Sequence, residues 1–127
     1  MNVYAFDVDE TLECSGGKIT LETMSKLRAE GHVVGICGNK HVFVNHVYGW
    51  QNYVSFINVN YNFKHVFLKY LKDIIKGADQ YIFVGNETPS NSPYSDKTEA
   101  LMANWDFIEA DEFYDSLNGT KIRRDIE

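Results

Sequence analysis

The chain has 127 residues, of which 44% are hydrophobic and 24% charged, a balance that predicts one globular domain over 1–127 with its own core. It excludes a disordered chain or a fibre, and no apolar run approaches the roughly 20 residues of a membrane span. Twelve Lys and Arg against 18 Asp and Glu give a net charge of −6, so no global field draws in nucleic acid or an anionic membrane, although one basic cleft remains compatible with that total.

Strands alternate with helices along the chain. Val3 to Phe6 is apolar and ends in acids, as a buried parallel strand does. Glu13 to Lys18 reads as a turn or small hairpin. Thr20 caps a helix with Leu21, Met24 and Leu27 on one face, and Gly31 stops it. Val33 to Cys37 is a second buried strand. Asn39 caps a short helix through Val42, Val44 and Val47. Val54 to Val59 is a third strand. Lys64 to Ile75 carries Phe67, Leu68, Leu71 and Ile75 at helical spacing, with Gly77 after it. Tyr81 to Val84 is a fourth strand, and Asn86 to Ser95 a polar loop. Ser95 caps a helix over Asp96 to Ala103. Trp105 to Ile108 is a fifth strand, Asp111 to Leu117 a last short helix, and Lys121 to Glu127 a fraying tail.

This order predicts an α/β fold: a doubly wound, Rossmann-like parallel sheet of about five strands with helices on both faces. Such sheets bind ligands beyond the C-terminal ends of their strands. The chemistry is therefore expected just after Phe6, Cys37, Val59 and Val84.

After the first strand comes Asp7-Val8-Asp9-Glu10-Thr11. In extended chain, Asp7 and Asp9 point the same way, into one crevice. Like charges that close are costly unless a positive group intervenes, and Mg²⁺ held by oxygen ligands is one such group. A solvated acidic loop is the plain alternative, but the apolar strand before the acids and the Thr after them favour a site.

Val3-Tyr4-Ala5-Phe6-Asp7-Val8-Asp9-Glu10-Thr11-Leu12 resembles the first motif of the haloacid dehalogenase-like (HAD) hydrolase superfamily, an apolar strand followed by Asp-x-Asp-x-Thr. The resemblance runs from Val3 to about Phe113. It implies that Asp7 is a nucleophile accepting a phosphoryl group and that Asp9 is the general acid and base. Both roles are chemically coherent: an ionised carboxylate can attack phosphorus, and a second carboxyl can protonate the leaving oxygen and then deprotonate water. Thr11 goes with the phosphate-binding group. The family's second motif places a Ser or Thr at the end of the next strand. Gly38 stands there instead, within Val34-Gly35-Ile36-Cys37-Gly38-Asn39-Lys40. The backbone N–H groups of Gly38 and Asn39, and the Asn39 amide, are the remaining candidates to hold phosphate. Cys37 reads as a buried small residue rather than a nucleophile.

The third motif is a Lys opening a helix, and Lys64 matches it. Lys69 and Lys72 read as a solvated face. The fourth motif is a strand followed by Gly-Asp and a later acid. Tyr81-Ile82-Phe83-Val84-Gly85-Asn86 matches with Asn in place of Asp, and Asp96 aligns with the later acid. Glu87 is a second candidate to restore the lost charge. The implied metal set is Asp7, Asp9 through its carbonyl, Asn86 and Asp96, around Mg²⁺.

Neither the stretch after Thr11 nor Asn39 to Lys64 is long enough for a cap domain, so the chain resembles a capless member. An open site suits a phosphorylated macromolecule, or a phosphorylated small molecule if another subunit closes the mouth. Tyr48, Trp50, Tyr53, Phe56, Tyr61 and Phe63 form an aromatic-rich stretch, read as core and subunit interface of a homo-oligomer rather than as a surface for stacking bases. Met1-Asn2-Val3-Tyr4-Ala5-Phe6-Asp7 meets an acid at once and carries no secretion signal, and Cys14 and Cys37 form no framework. A cytoplasmic protein with reduced thiols is expected, which leaves the glycosylation-type triplets at Asn86 and Asn118 without consequence.

The expected activity is a Mg²⁺-dependent phosphomonoester hydrolase. A catalytically weakened or inactive HAD-like binding or regulatory module is the alternative, favoured by Gly38 and Asn86. A receiver-like phosphoacceptor fits less well, because the third strand offers Asn58 and Asn60 rather than an acceptor Asp.

Overall fold

The computed structural model describes residues 1–58, 63–87 and 94–117. Five strands form one all-parallel sheet: β1 (Asn2–Phe6), β2 (Val33–Ile36), β3 (Phe56–Ile57), β4 (Gln80–Gly85) and β5 (Asp106–Glu109). Their spatial order is β3-β2-β1-β4-β5. The chain therefore winds outward from β1 in one direction, returns, and winds outward in the other. The place where the order reverses lies between β1 and β4, which is where such sheets open a crevice.

Helices α1 (Leu21–Ala29), α2 (Lys40–His46), α3 (Lys64–Ile74) and α4 (Asp96–Met102) connect the strands, and a helix over 110–117 (α5) follows β5. Alternation along β1 divides the core in two. Tyr4 and Phe6 pack with Met24 and Leu27 of α1, Phe43 of α2 and Phe113 of α5. Val3 and Ala5 pack with Phe67, Leu68 and Leu71 of α3 and Ala100 of α4. Both faces of the sheet are thus covered, which is why its strands read as unbroken apolar runs. Between β1 and β2 lie only a 3₁₀ turn (Glu13–Ser15) and α1, so no cap interrupts the described residues.

The helix starts follow local chemistry. The Thr20, Asn39 and Ser95 side chains accept from the N–H groups of Thr23, Val42 and Thr98, satisfying donors that the first turn leaves without partners. Gly31 takes φ 95°, the left-handed value that ends α1. Several boundaries differ from expectation. The third strand is shorter than expected, Phe56–Ile57, although the Ser55 and Asn58 N–H groups on either side still donate to the Val34 and Ile36 carbonyls of β2; Val59, its expected end, lies outside the described residues. Val44, expected on the apolar face of α2, is exposed, and Phe43 fills that role. Tyr48 is fully exposed and adds nothing to the core, while Trp50, Tyr53 and Phe56 pack at the core's edge. Tyr61, most of the Asn86–Ser95 loop and the tail lie outside the described residues. No helix among the described residues is long and apolar enough to cross a membrane.

Candidate functional site

The crevice between β1 and β4 is walled by acids. Asp7 follows β1 directly, and its N–H donates to the Val84 carbonyl at 2.9 Å, extending the β1–β4 ladder by one residue. That register buries its side chain. From α3, the Lys64 ammonium donates to Asp7 Oδ1 at 2.8 Å and to Asp96 Oδ1 at 2.7 Å. Asp96 opens α4, and its Oδ2 accepts the Asn86 N–H at 3.0 Å. A side chain on Gly85 would collide with this carboxylate, so glycine there lets Asp96 close on the strand end. One lysine thus serves two buried carboxylates drawn from opposite halves of the sheet.

The electrostatics follow from that count. Two carboxylates and one ammonium leave one negative charge in a buried place when all are ionised. The Asp7 carboxyl is raised from 3.8 to about 7, chiefly by burial and further by Asp96, against the downward pull of Lys64. For Lys64, burial alone would lower the ammonium, but Asp7 and Asp96 outweigh it and hold the group above its ordinary range.

Asp9 is placed differently. The chain does not stay extended past Asp7: Thr11 and Leu12 N–H groups both donate to the Val8 carbonyl, and Glu10 takes φ 57°. The Asp9 side chain is therefore exposed, with Ser15 Oγ at 3.3 Å from Oδ1 and Asn39 Nδ2 at 3.4 Å from Oδ2. The expectation that Asp7 and Asp9 are aligned by an extended strand is corrected here. They lie instead beside consecutive residues, Asp7 against Gly38 and Asp9 against Asn39.

Two phosphate-binding expectations are also revised. Thr11 is fully buried; its hydroxyl donates to the Asp9 carbonyl at 3.4 Å and accepts from Asn86 Nδ2 at 3.2 Å, bracing the loop rather than facing a ligand. The Gly38 N–H is already bonded to Asn58 Oδ1 at 3.1 Å. A Cβ at Gly38 would collide with the Asp7 carboxylate and the Val8 amide. Glycine at this position therefore goes with the placement of Asp7, and a hydroxyl side chain has no room beside it. Glu87 turns away: its carboxylate meets Lys97 at 3.4 Å on the surface, whereas Asp96 sits with Asp7. Cys37 is buried, and burial raises its thiol far from the reactive range.

Three partners escaped the sequence reading. Asn58 is one. The others are Glu99 and His65. Glu99 is 1% exposed, and its carboxylate accepts from the Lys64 N–H at 2.8 Å, the His65 N–H at 3.3 Å and His65 Nδ1 at 2.6 Å. A signal existed. Asp96, Glu99, Ala100 and Ala103 fall on one stripe of α4, so two acids occupy positions where the helical period calls for apolar residues. In addition, α3 begins after Phe63, which has no capping oxygen.

The donor set around Asp7 fits a hard cation in kind: the Asp7 and Asp96 carboxylates, the Asp9 carbonyl and the Asn86 amide are all oxygen sources. Among the described residues, no three His, Cys, Asp or Glu side chains converge as a ligand group, so the carbonyl and the amide are needed to complete it. Asn86 Nδ2 faces the Asp9 carbonyl at 3.2 Å; to offer oxygen beside that carbonyl, the amide must turn over. Comparison with known families, curated proteins and solved structures finds no match for this chain.

Proposed function

We propose that this chain is a phosphomonoester hydrolase of the HAD-like kind, acting in the cytoplasm on a phosphorylated small molecule or macromolecule. One observation carries the reading: a lysine bridges two buried carboxylates at the switch point of a doubly wound sheet. Asp7 is the nucleophile. Its Oδ1 is held by Lys64, which leaves Oδ2 to attack phosphorus and form an aspartyl phosphate. Lys64 stabilises the carboxylate form of Asp7 and the charge that builds on the phosphoryl oxygens. Asp9, exposed and bonded through its side chain to Ser15 and Asn39, protonates the leaving oxygen and then takes a proton from the attacking water. Asp96 holds Lys64 and the Asn86 backbone in place.

Asp7, the Asp9 carbonyl, Asn86 and Asp96 would hold Mg²⁺, which when bound supplies positive charge to offset nucleophile and phosphate together. Asn86 contributes a neutral donor where an acid would bring charge, so loose metal binding is expected. A second reading, a non-catalytic binding module on the same fold, is favoured by the Gly38 N–H being committed to Asn58. Hydrolysis of p-nitrophenyl phosphate with Mg²⁺ separates the two. Turnover by the wild type that Asp7→Asn abolishes supports the hydrolase; equal background in both removes it.

A further inference from the structure

We infer that Glu99 is a positioning residue for Lys64, locked in turn by His65, and that this pair sets where the ammonium stands in the site. The inference rests on the hydrolase reading for its kinetic consequence, but its structural content stands by itself.

Lys64 is the first residue of α3. A helix start leaves its first N–H groups without partners, and a residue there is free to fray unless they are met. Phe63 cannot meet them. Glu99 does so from another helix, accepting from the backbone of Lys64 and of His65 with one oxygen each. A carboxylate at this end also complements the helix dipole, and its bonds to N–H groups are charge-assisted. His65 Nδ1, at 2.6 Å, then fixes which way the carboxylate lies.

Glu99 also shares its helix with Asp96. It lies one turn after Asp96 on α4, on the same buried stripe. Asp96 holds the ammonium of Lys64 at 2.7 Å, and Glu99 holds its backbone at 2.8 Å. One helix therefore grips both ends of a long, flexible side chain. A cap needed only for stability could come from a Ser, Asp or Asn at position 63, as it does at Thr20, Asn39 and Ser95. Burying a carboxylate for the purpose is costly. What the costly arrangement adds is registration of Lys64 against Asp96, and through it against Asp7.

The test uses the full chain, with two readouts on wild type, Glu99→Gln, His65→Phe and His65→Asn. Glutamine offers one acceptor where the carboxylate offers two; asparagine presents an Nδ2 close to the place of His65 Nδ1. The first readout is the ¹⁵N signal of the Lys64 ammonium by NMR, in chelator. A shifted, slowly exchanging signal is expected in wild type and His65→Asn, and its collapse to the free-lysine position in Glu99→Gln and His65→Phe. The second is kcat and KM for p-nitrophenyl phosphate with Mg²⁺ at a temperature where every variant is folded. Glu99→Gln and His65→Phe should lose about 10- to 100-fold in kcat with KM within about twofold, and His65→Asn should recover most of it.

An unchanged ammonium signal in Glu99→Gln overturns the inference, and so does kcat held within twofold while the melting temperature falls, which would leave Glu99 as a cap alone. If wild type and Asp7→Asn share the same background, the hydrolase reading fails, and the ammonium signal still decides this one.

Discussion

The two flanks of the crevice are built in opposite ways. On the α3–α4 side, Lys64, Asp96, Glu99 and His65 interlock through short bonds, and both carboxylates are buried. On the β1–α2 side, Asp9, Ser15 and Asn39 meet at 3.3–3.4 Å on the surface. Asp7 stands between them. The buried flank can fix charge without reorganising, which is what stabilising a developing charge requires. The exposed flank can move and trade protons with water. Under the proposed hydrolase reading, a site that both holds a phosphoryl group and shuttles a proton gains from this division.

Four substitutions probe the two flanks separately. The largest effect should come from Asp7→Asn, which removes the proposed nucleophile and should cost at least about 10³-fold in turnover. Its effect on stability should have the opposite sign. Asp7 keeps its proton in the fold up to about 7, against 3.8 ordinarily. Between those values the folded chain holds a proton that the unfolded chain releases, so stability falls as pH rises through that window. Asparagine escapes this loss. Thermal melts in chelator should show Asp7→Asn above wild type at pH 7.5, with the gap closing toward pH 4.

Next, Lys64→Ala leaves two buried carboxylates facing each other. Urea unfolding at pH 7.5 should show a loss of about 3 kcal/mol. A loss well below 1 kcal/mol would mean that the buried flank is not held as described. On the exposed flank, Asp9→Asn should lower kcat about 100-fold while changing stability by less than about 0.5 kcal/mol. Equal loss of activity and stability would erase the contrast between the flanks. The smallest effect belongs to Thr20→Ala, which removes the α1 cap remote from the acids: about 1 kcal/mol in urea unfolding, with turnover per folded molecule unchanged.

What was legible in the sequence was what is local. Strand and helix periods gave the five strands in order, and Thr20, Asn39 and Ser95 announced their helices because a cap lies next to what it caps. Asp7 could be named because it ends a buried strand in a parallel sheet, whereas Lys64 and Asp96 could be named only from the resemblance to HAD-like motifs. The rest depends on contacts across the fold. Nothing near Phe63 says that Glu99, 35 residues past Lys64, would satisfy the start of α3. Nothing in Gly38 says that its amide would turn to Asn58. Asp9 departs from the extended expectation because Glu10, at φ 57°, bends the chain back. Even so, two acids on the inner stripe of α4 conflict with its helical period, and such conflicts mark sites where packing has been given up for something else.

The strand order has a further consequence, for how the chain comes to exist. β1 is made first yet acquires its neighbour β4 only after the whole β2–β3 half has been completed. Asp7 accordingly emerges from the ribosome before Lys64 and Asp96 exist, and its set of partners is complete only once α4 has been synthesised. A product truncated before α4 would carry Asp7, Asp9 and Lys64 and still lack the closure that turns them into a site.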